Sequence, residues 1–130
     1  MRIQLKAIHH VAIICSDYGR SKWFYTELLG LNIRSEHYRK ERKSWKLDLG
    51  IGEQYVIELF SFPEAPARMS RPEACGLRHL AFAVDDLETA LEILHAAHWE
   101  TEAIRVDEFT GKRFCFFADP DGLPIEFYES

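Results

Sequence analysis

The chain has 130 residues, 47% of them hydrophobic, and a formal net charge of −5. That length and apolar share suit one globular domain with its own core and exclude a disordered chain. The acidic balance, with a sequence pI near 5.7, excludes the broad basic footprint that nucleic-acid binding requires.

Residues 8–15, Ile-His-His-Val-Ala-Ile-Ile-Cys, are rich in β-branched side chains and predict a buried strand. Ser16 and Asp17 are good helix caps, and residues 18–29 carry Trp23, Phe24, Tyr25, Leu28 and Leu29 as one broad apolar face before Gly30 ends the helix. Three strands are expected next, at 31–39, 44–51 and 54–62, with a tight Gly52-Glu53 turn before the last. Pro63 and Pro66 stop that strand, and the Pro- and Gly-bearing stretch 63–76 is the natural linker. The basic residues Arg39, Lys40, Arg42, Lys43 and Lys46 are expected to form a solvated charged loop.

The second half replays the first. A strand at 77–84 leads to Asp85 and Asp86 as caps, and Leu87, Ala90, Leu91 and Leu94 lie on one face of a helix over 87–97. Shorter strands are expected at 102–106, 113–118 and 123–128. Asp119-Pro120-Asp121-Gly122 is turn chemistry ahead of the last of these. In that strand Glu126 shares a face with Pro124 and Tyr128, opposite Ile125 and Phe127.

The repeat holds by position. His10 precedes Asp17 by seven residues and His79 precedes Asp86 by seven; His10 to Glu58 is 48 residues and His79 to Glu126 is 47. Each half therefore bears a histidine on its opening strand and a glutamate on its closing strand. Should the two sheets face one another, His10, Glu58, His79 and Glu126 converge. Two imidazoles and two carboxylates suit a divalent first-row metal, whose charge offsets carboxylates that otherwise repel. His9 alternates to the opposite side of its strand and is left out of the set, as are His37, His95 and His98, read as surface or packing residues.

These segments carry a family resemblance. His10-Val11-Ala12-Ile13, Trp23-Phe24-Tyr25, Val56-Ile57-Glu58-Leu59, the run 76–86 and the closing Asp119–Glu129 resemble the vicinal oxygen chelate superfamily of glyoxalases, bleomycin-resistance proteins and dioxygenases. Within it they look closest to small bacterial glyoxalase-like proteins of the YaeR type. The resemblance implies an α+β fold, two pseudo-symmetric βαβββ modules forming a curved β-sheet cup or half-barrel. One domain would then span 1–130, with module one at about 6–62, the linker at about 63–76 and module two at about 77–130. It implies one divalent ion per site, nickel or zinc first and cobalt or manganese next, held by His10, Glu58, His79 and Glu126. Such an ion binds adjacent substrate oxygens and stabilises an enediolate or enolate, while a glutamate moves the proton. Glu126 is the first choice for that base and Glu58 the second. The implied activity is a glyoxalase-like lyase or isomerase on a small molecule with vicinal oxygens.

Ile14 and Phe62 stand where glutathione-dependent glyoxalase I carries an arginine and an asparagine, so two glutathione anchors are missing. Arg71, Arg78 and Arg113 are alternative anchors for an anionic substrate, with structural pairing the expected role of Arg78. Other readings are a carbonyl-adjacent epimerase, a dioxygenase, and a non-catalytic binder of the bleomycin-resistance kind. The dioxygenase is disfavoured by a fourth protein ligand. Cys15, Cys75 and Cys115 are an odd, scattered set without a C-x-x-C pair, expected as small core thiols in a reducing compartment. No basic-plus-apolar leader or membrane-length apolar run is visible, so a cytoplasmic chain is expected. A homodimer is a further expectation, with Trp23 and Trp45 as candidates for its contact and core packing an equal alternative for Trp23.

Overall fold

The β-branched run at the start and the apolar alternation of the following segments build one four-stranded sheet, and the second half builds another. In the computed structural model, which describes all 130 residues, they fall in separate compact units, Met1–Ala65 and Pro66–Ser130.

In the first unit β1 (Val11–Cys15), β2 (Asn32–Arg39), β3 (Ser44–Ile51) and β4 (Gln54–Ser61) take the order β1-β4-β3-β2. β1 runs parallel to β4, and the other pairs are antiparallel. Ile13, Cys15, Leu47, Leu49, Ile57 and Leu59 fill the covered face, together with Phe24 and Tyr25. Each such side chain is worth about 1.5–3 kcal/mol on leaving water. The expected helix at 18–29 is α1 (Tyr18–Trp23) followed by a π-helical turn, Phe24–Leu28. Thr26 Oγ1 donates to the Lys22 carbonyl at 2.6 Å, and the Leu29 amide reaches back to Phe24 at 2.9 Å. A side-chain hydroxyl bonded into the ladder and five-residue spacing widen the turn. Both neighbouring rings are thereby fully buried, where a regular helix separates them by about 100° around its axis.

The second unit repeats this with β5 (Leu80–Val84), α2 (Leu87–Ala96), β6 (Arg105–Val106), β7 (Arg113–Ala118) and β8 (Pro124–Glu129), in the order β5-β8-β7-β6. Asp86 caps α2 by accepting from the Thr89 amide at 3.1 Å, and Leu87, Leu91 and Leu94 are its buried face. The turn before β8 is held by Asp119, whose Oδ1 accepts from the amides of Asp121 and Leu123, both at 2.9 Å. Gly122 closes it with φ 85°.

The architecture is α+β, with two four-stranded mixed sheets and little helix. Several expectations are corrected. Strands expected from 8 and 77 begin at Val11 and Leu80, and the one expected at 102–106 keeps only two residues. Lys46 and Arg39 are not loop residues. They lie in β3 and β2, where Lys46 pairs with Asp48 and Arg39 stacks over Phe60 at 4.6 Å. Cys75 is exposed, while Cys15 and Cys115 are buried. No helix is long and apolar enough to cross a membrane.

Candidate functional site

Register places the candidate ligands at matching points of the two sheets. Glu58 on β4 is opposite Ala12 of β1 and Asp48 of β3, and Glu126 on β8 is opposite Ala81 of β5 and Phe116 of β7. Each glutamate lies between two buried neighbours, Ile57 and Leu59 or Ile125 and Phe127, so strand alternation turns it to the face away from the core. The histidines precede their strands and reach back over that face. His10 Nε2 is 3.7 Å from Glu58 Oε1, and His79 Nε2 is 3.3 Å from Glu126 Oε1.

Those distances test the metal reading. Two donors about 2.0–2.2 Å from one ion stand roughly 2.8–3.6 Å apart at octahedral or tetrahedral angles. The His79–Glu126 edge lies in that range and the His10–Glu58 edge just beyond it. Within either half no third histidine, cysteine or carboxylate completes a ligand cluster. Each half offers two candidate donors. The donor types and spacing fit a divalent ion.

The environments of the pairs differ. In the first half Lys46 Nζ is 3.4 Å from Glu58 Oε2, and the Tyr55 hydroxyl donates to the same oxygen at 3.3 Å and to Asp48 Oδ1 at 2.8 Å. Burial pushes the Asp48 carboxyl up, but hydrogen bonds from Lys46, Ser35 and Tyr55 outweigh it and hold it below its ordinary range. Burial and the bond to Asp48 raise the Tyr55 phenol well above its usual value. Tyr55, Lys46 and Asp48 escaped sequence reasoning. Period-2 alternation groups Tyr55 with buried Ile57, yet the β3–β4 register shifts between Leu49 and Gly50, and that bulge redirects the ring. Lys46 and Asp48, flanking buried Leu47, were open to detection by the same alternation.

His9 is also corrected. Because the strand begins only at Val11, alternation does not govern the histidines, and His9 Nδ1 touches His10 Nδ1 at 2.8 Å. Both rings pack on Tyr55, His10 stacked at 4.9 Å and His9 edge-on at 5.3 Å. Were His10 Nε2 to hold a metal, Nδ1 would carry the proton and His9 would accept it, a contact that would fix ring and tautomer.

In the second half His79 sits edge-on to Phe116, 5.0 Å between centroids, and Glu126 has His79 as its polar partner. Arg78 binds Glu73 at 2.6 Å and places Nη1 3.1 Å from His79 Nδ1. An arginine only donates, so His79 Nδ1 accepts there and Nε2 holds the proton facing Glu126. Metal at Nε2 therefore requires Arg78, 63% exposed, to swing aside. Arg113 is no substrate anchor. It pairs with Glu129 at 2.8 Å and Glu88 of α2 at 2.9 Å, because its β7 position shares the helix-covered face with Cys115 and Phe117.

The comparisons with known proteins agree with the two-sheet α+β fold. Residues 7–127 match the model of the glyoxalase/bleomycin resistance protein/dioxygenase superfamily. The chain belongs to that superfamily. It is 60% identical over 125 residues to the protein YaeR of Escherichia coli (strain K12), covering 96% of this chain and 97% of that one. The crystal structure of a glyoxalase family protein from Enterococcus faecalis superposes with a TM-score of 0.88 at 51% identity, covering 95% of this chain and 98% of that chain. A more distant relative, 28% identical over 141 residues, is the 2-epi-5-epi-valiolone epimerase of Actinomyces sp, with 92% of this chain and 77% of that one aligned. Members of the superfamily typically bind small molecules and a divalent metal.

Proposed function

We propose that this superfamily member is a metal-dependent, glyoxalase-like lyase or isomerase acting on a small substrate with vicinal oxygens. His10, Glu58, His79 and Glu126 are its metal ligands, nickel or zinc the first candidates, and one chain or a homodimer supplies the two pairs. The bound ion contributes Lewis acidity toward adjacent substrate oxygens, which makes the neighbouring C–H more acidic.

The observation that carries the reading is the unequal support of two otherwise equivalent glutamates. Glu58 is held by Lys46 at 3.4 Å and Tyr55 at 3.3 Å, whereas Glu126 has His79 alone and faces the ring of Phe116. A carboxylate fixed by two donors suits a permanent ligand. One with a single partner beside an aromatic wall is free to turn toward a substrate C–H. Glu126 is assigned as the base that moves a proton between neighbouring carbons, with Glu58 the static member of the set. The same proton chemistry serves an epimerase, the activity named for the Actinomyces relative. Ile14, 55% exposed where glutathione enzymes carry an arginine, argues for another thiol or for none. The free thiols of Cys15, Cys75 and Cys115 support a cytoplasmic setting.

The test is elemental analysis of protein purified without chelator or histidine tag, beside His10→Ala, His79→Ala and Glu126→Gln. About one metal per site is expected, lost in the histidine variants and largely kept in Glu126→Gln, which loses turnover. Metal-free protein that resists reconstitution would retire the enzyme reading and leave a small-molecule binder.

A further inference from the structure

An open cleft of about 730 Å³ lies wholly within the second unit, and Phe116 forms part of its wall. That ring opposes Glu126 across the β7–β8 pair and meets His79 edge-on, so the cleft adjoins the candidate base. Its charged lining consists of Arg68, Arg71, Arg78 and Arg105 against Glu73, Glu100 and Glu102. In a chain of net charge −5, four guanidinium groups around one hollow are a local inversion of sign.

The arginines are differently committed. Arg78 is tied to Glu73 at 2.6 Å. Arg68 spends its donors on Ser70 Oγ and the carbonyls of Leu77 and Arg78, which folds the loop without neutralising its charge. Arg105 lies over the faces of Phe114 and Phe116, 5.0 and 5.4 Å from their centroids, and its contact with Glu102 is a long 3.4 Å between side chains more than half exposed. Stacking orients a guanidinium while leaving its N–H edge open, and the screened ion pair competes weakly for that edge. Arg71 is exposed and makes no hydrogen bond or ion pair. Glu73 and Glu102 are engaged with Arg78 and Arg105, so Glu100 alone opposes the charges of Arg68 and Arg71.

We propose that this cleft seats the anionic end of the substrate, a carboxylate or a phosphate, between Arg71 and Arg105, with the carbon to be deprotonated directed toward Glu126. The planar guanidinium fork matches either oxyanion through paired N–H donors. The word substrate rests on the function proposed above; the anion site itself does not. Arg105 holds the ligand against the Phe116 wall shared with His79, and Arg71 supplies the charge that no protein group uses.

The experiment is calorimetric titration of the full-length, metal-stripped protein with inorganic phosphate, pyruvate and methyl pyruvate, in wild type, Arg71→Gln, Arg105→Gln and the double variant. Circular dichroism confirms folding of each, and metal content is measured on the same preparations before stripping. Phosphate or pyruvate is expected to bind the wild type, at least tenfold more weakly the double variant, with the uncharged ester indifferent to both substitutions. Tighter phosphate than pyruvate assigns a phosphoryl-bearing ligand, and the reverse a carboxylate. Anion affinity equal in wild type and double variant, or no anion binding to wild type, overturns the proposal. Arginine-dependent anion binding by a protein that never takes metal would sink the enzyme reading and leave the anion cleft standing. Metal binding without arginine-dependent anion affinity does the opposite. Arg71→Gln alone keeps the test decisive if substitution of Arg105 unfolds the sheet edge.

Discussion

Gly50→Ala examines how the first half aims its polar cluster. Gly50 lies in β3 opposite Tyr55, where the register with β4 shifts. A Cβ at this position would stand 2.6 Å from the Gln54 carbonyl oxygen, 3.0 Å from Arg34 Cδ and 3.1 Å from Asn32 Oδ1. The Arg34 chain can move aside, but the Gln54 oxygen is backbone of the facing strand. Restoring ordinary contact needs the hairpin to open by about 0.8 Å, an overpacking strain that costs about 1–3 kcal/mol. For a chain of this size that lowers Tm by about 3–12 °C. The opening also moves the Tyr55 hydroxyl from Asp48 and Glu58, so the phenol, now raised by burial and the Asp48 bond, returns toward its ordinary value. Thermal unfolding by circular dichroism reads the first effect. Ultraviolet titration of the phenol, with Tyr55→Phe as the blank, reads the second. Unchanged melting and an unchanged Tyr55 titration would refute the claim that a tight bulge at Gly50 positions this ring.

Other substitutions probe separate links. Tyr55→Phe removes one hydroxyl shared by Asp48 and Glu58 and should cost about 1–2 kcal/mol of stability. It should also weaken metal binding by about 10–100-fold if the hydroxyl orients Glu58; equal metal titrations of variant and wild type would dismiss that role. Asp119→Ala strands two amides in the turn before β8 and should destabilise by about 2–4 kcal/mol in urea, with Asp119→Asn recovering much of the loss. Glu129 is held below its ordinary carboxylate range chiefly by hydrogen bonds from Arg113. A carboxyl depressed in the folded state stabilises above its unfolded pKa and loses that contribution as pH falls through the folded one. The stability gap between wild type and Arg113→Met should therefore be widest near neutrality and narrow toward about pH 3. A gap independent of pH would show that Arg113 acts by packing alone.

The repeat, the α+β class, the strand faces at both glutamates and the matched spacing of the His and Glu positions were legible in the residue pattern alone. Those features are local or periodic: alternation puts Ile57 and Leu59, or Ile125 and Phe127, in a core and turns Glu58 and Glu126 away from it. Capping at Asp17 and Asp86 was equally plain, because a side-chain acceptor three residues before its amide is a short-range contact. The inequality of the halves, by contrast, arises from long-range packing. A register slip at Gly50, invisible to a period of two, brings Tyr55 to Glu58, and where the first sheet sets Asp48 opposite Glu58 the second sets Phe116 opposite Glu126. The late start of β1 frees His9 to contact His10. Pairing across strands and loops separates the arginines, sending Arg113 to the helix side and leaving Arg71 in the cleft. These outcomes depend on which chain segments meet at long range, and bulges, strand ends and loop closure set those meetings through packing that no local residue pattern encodes.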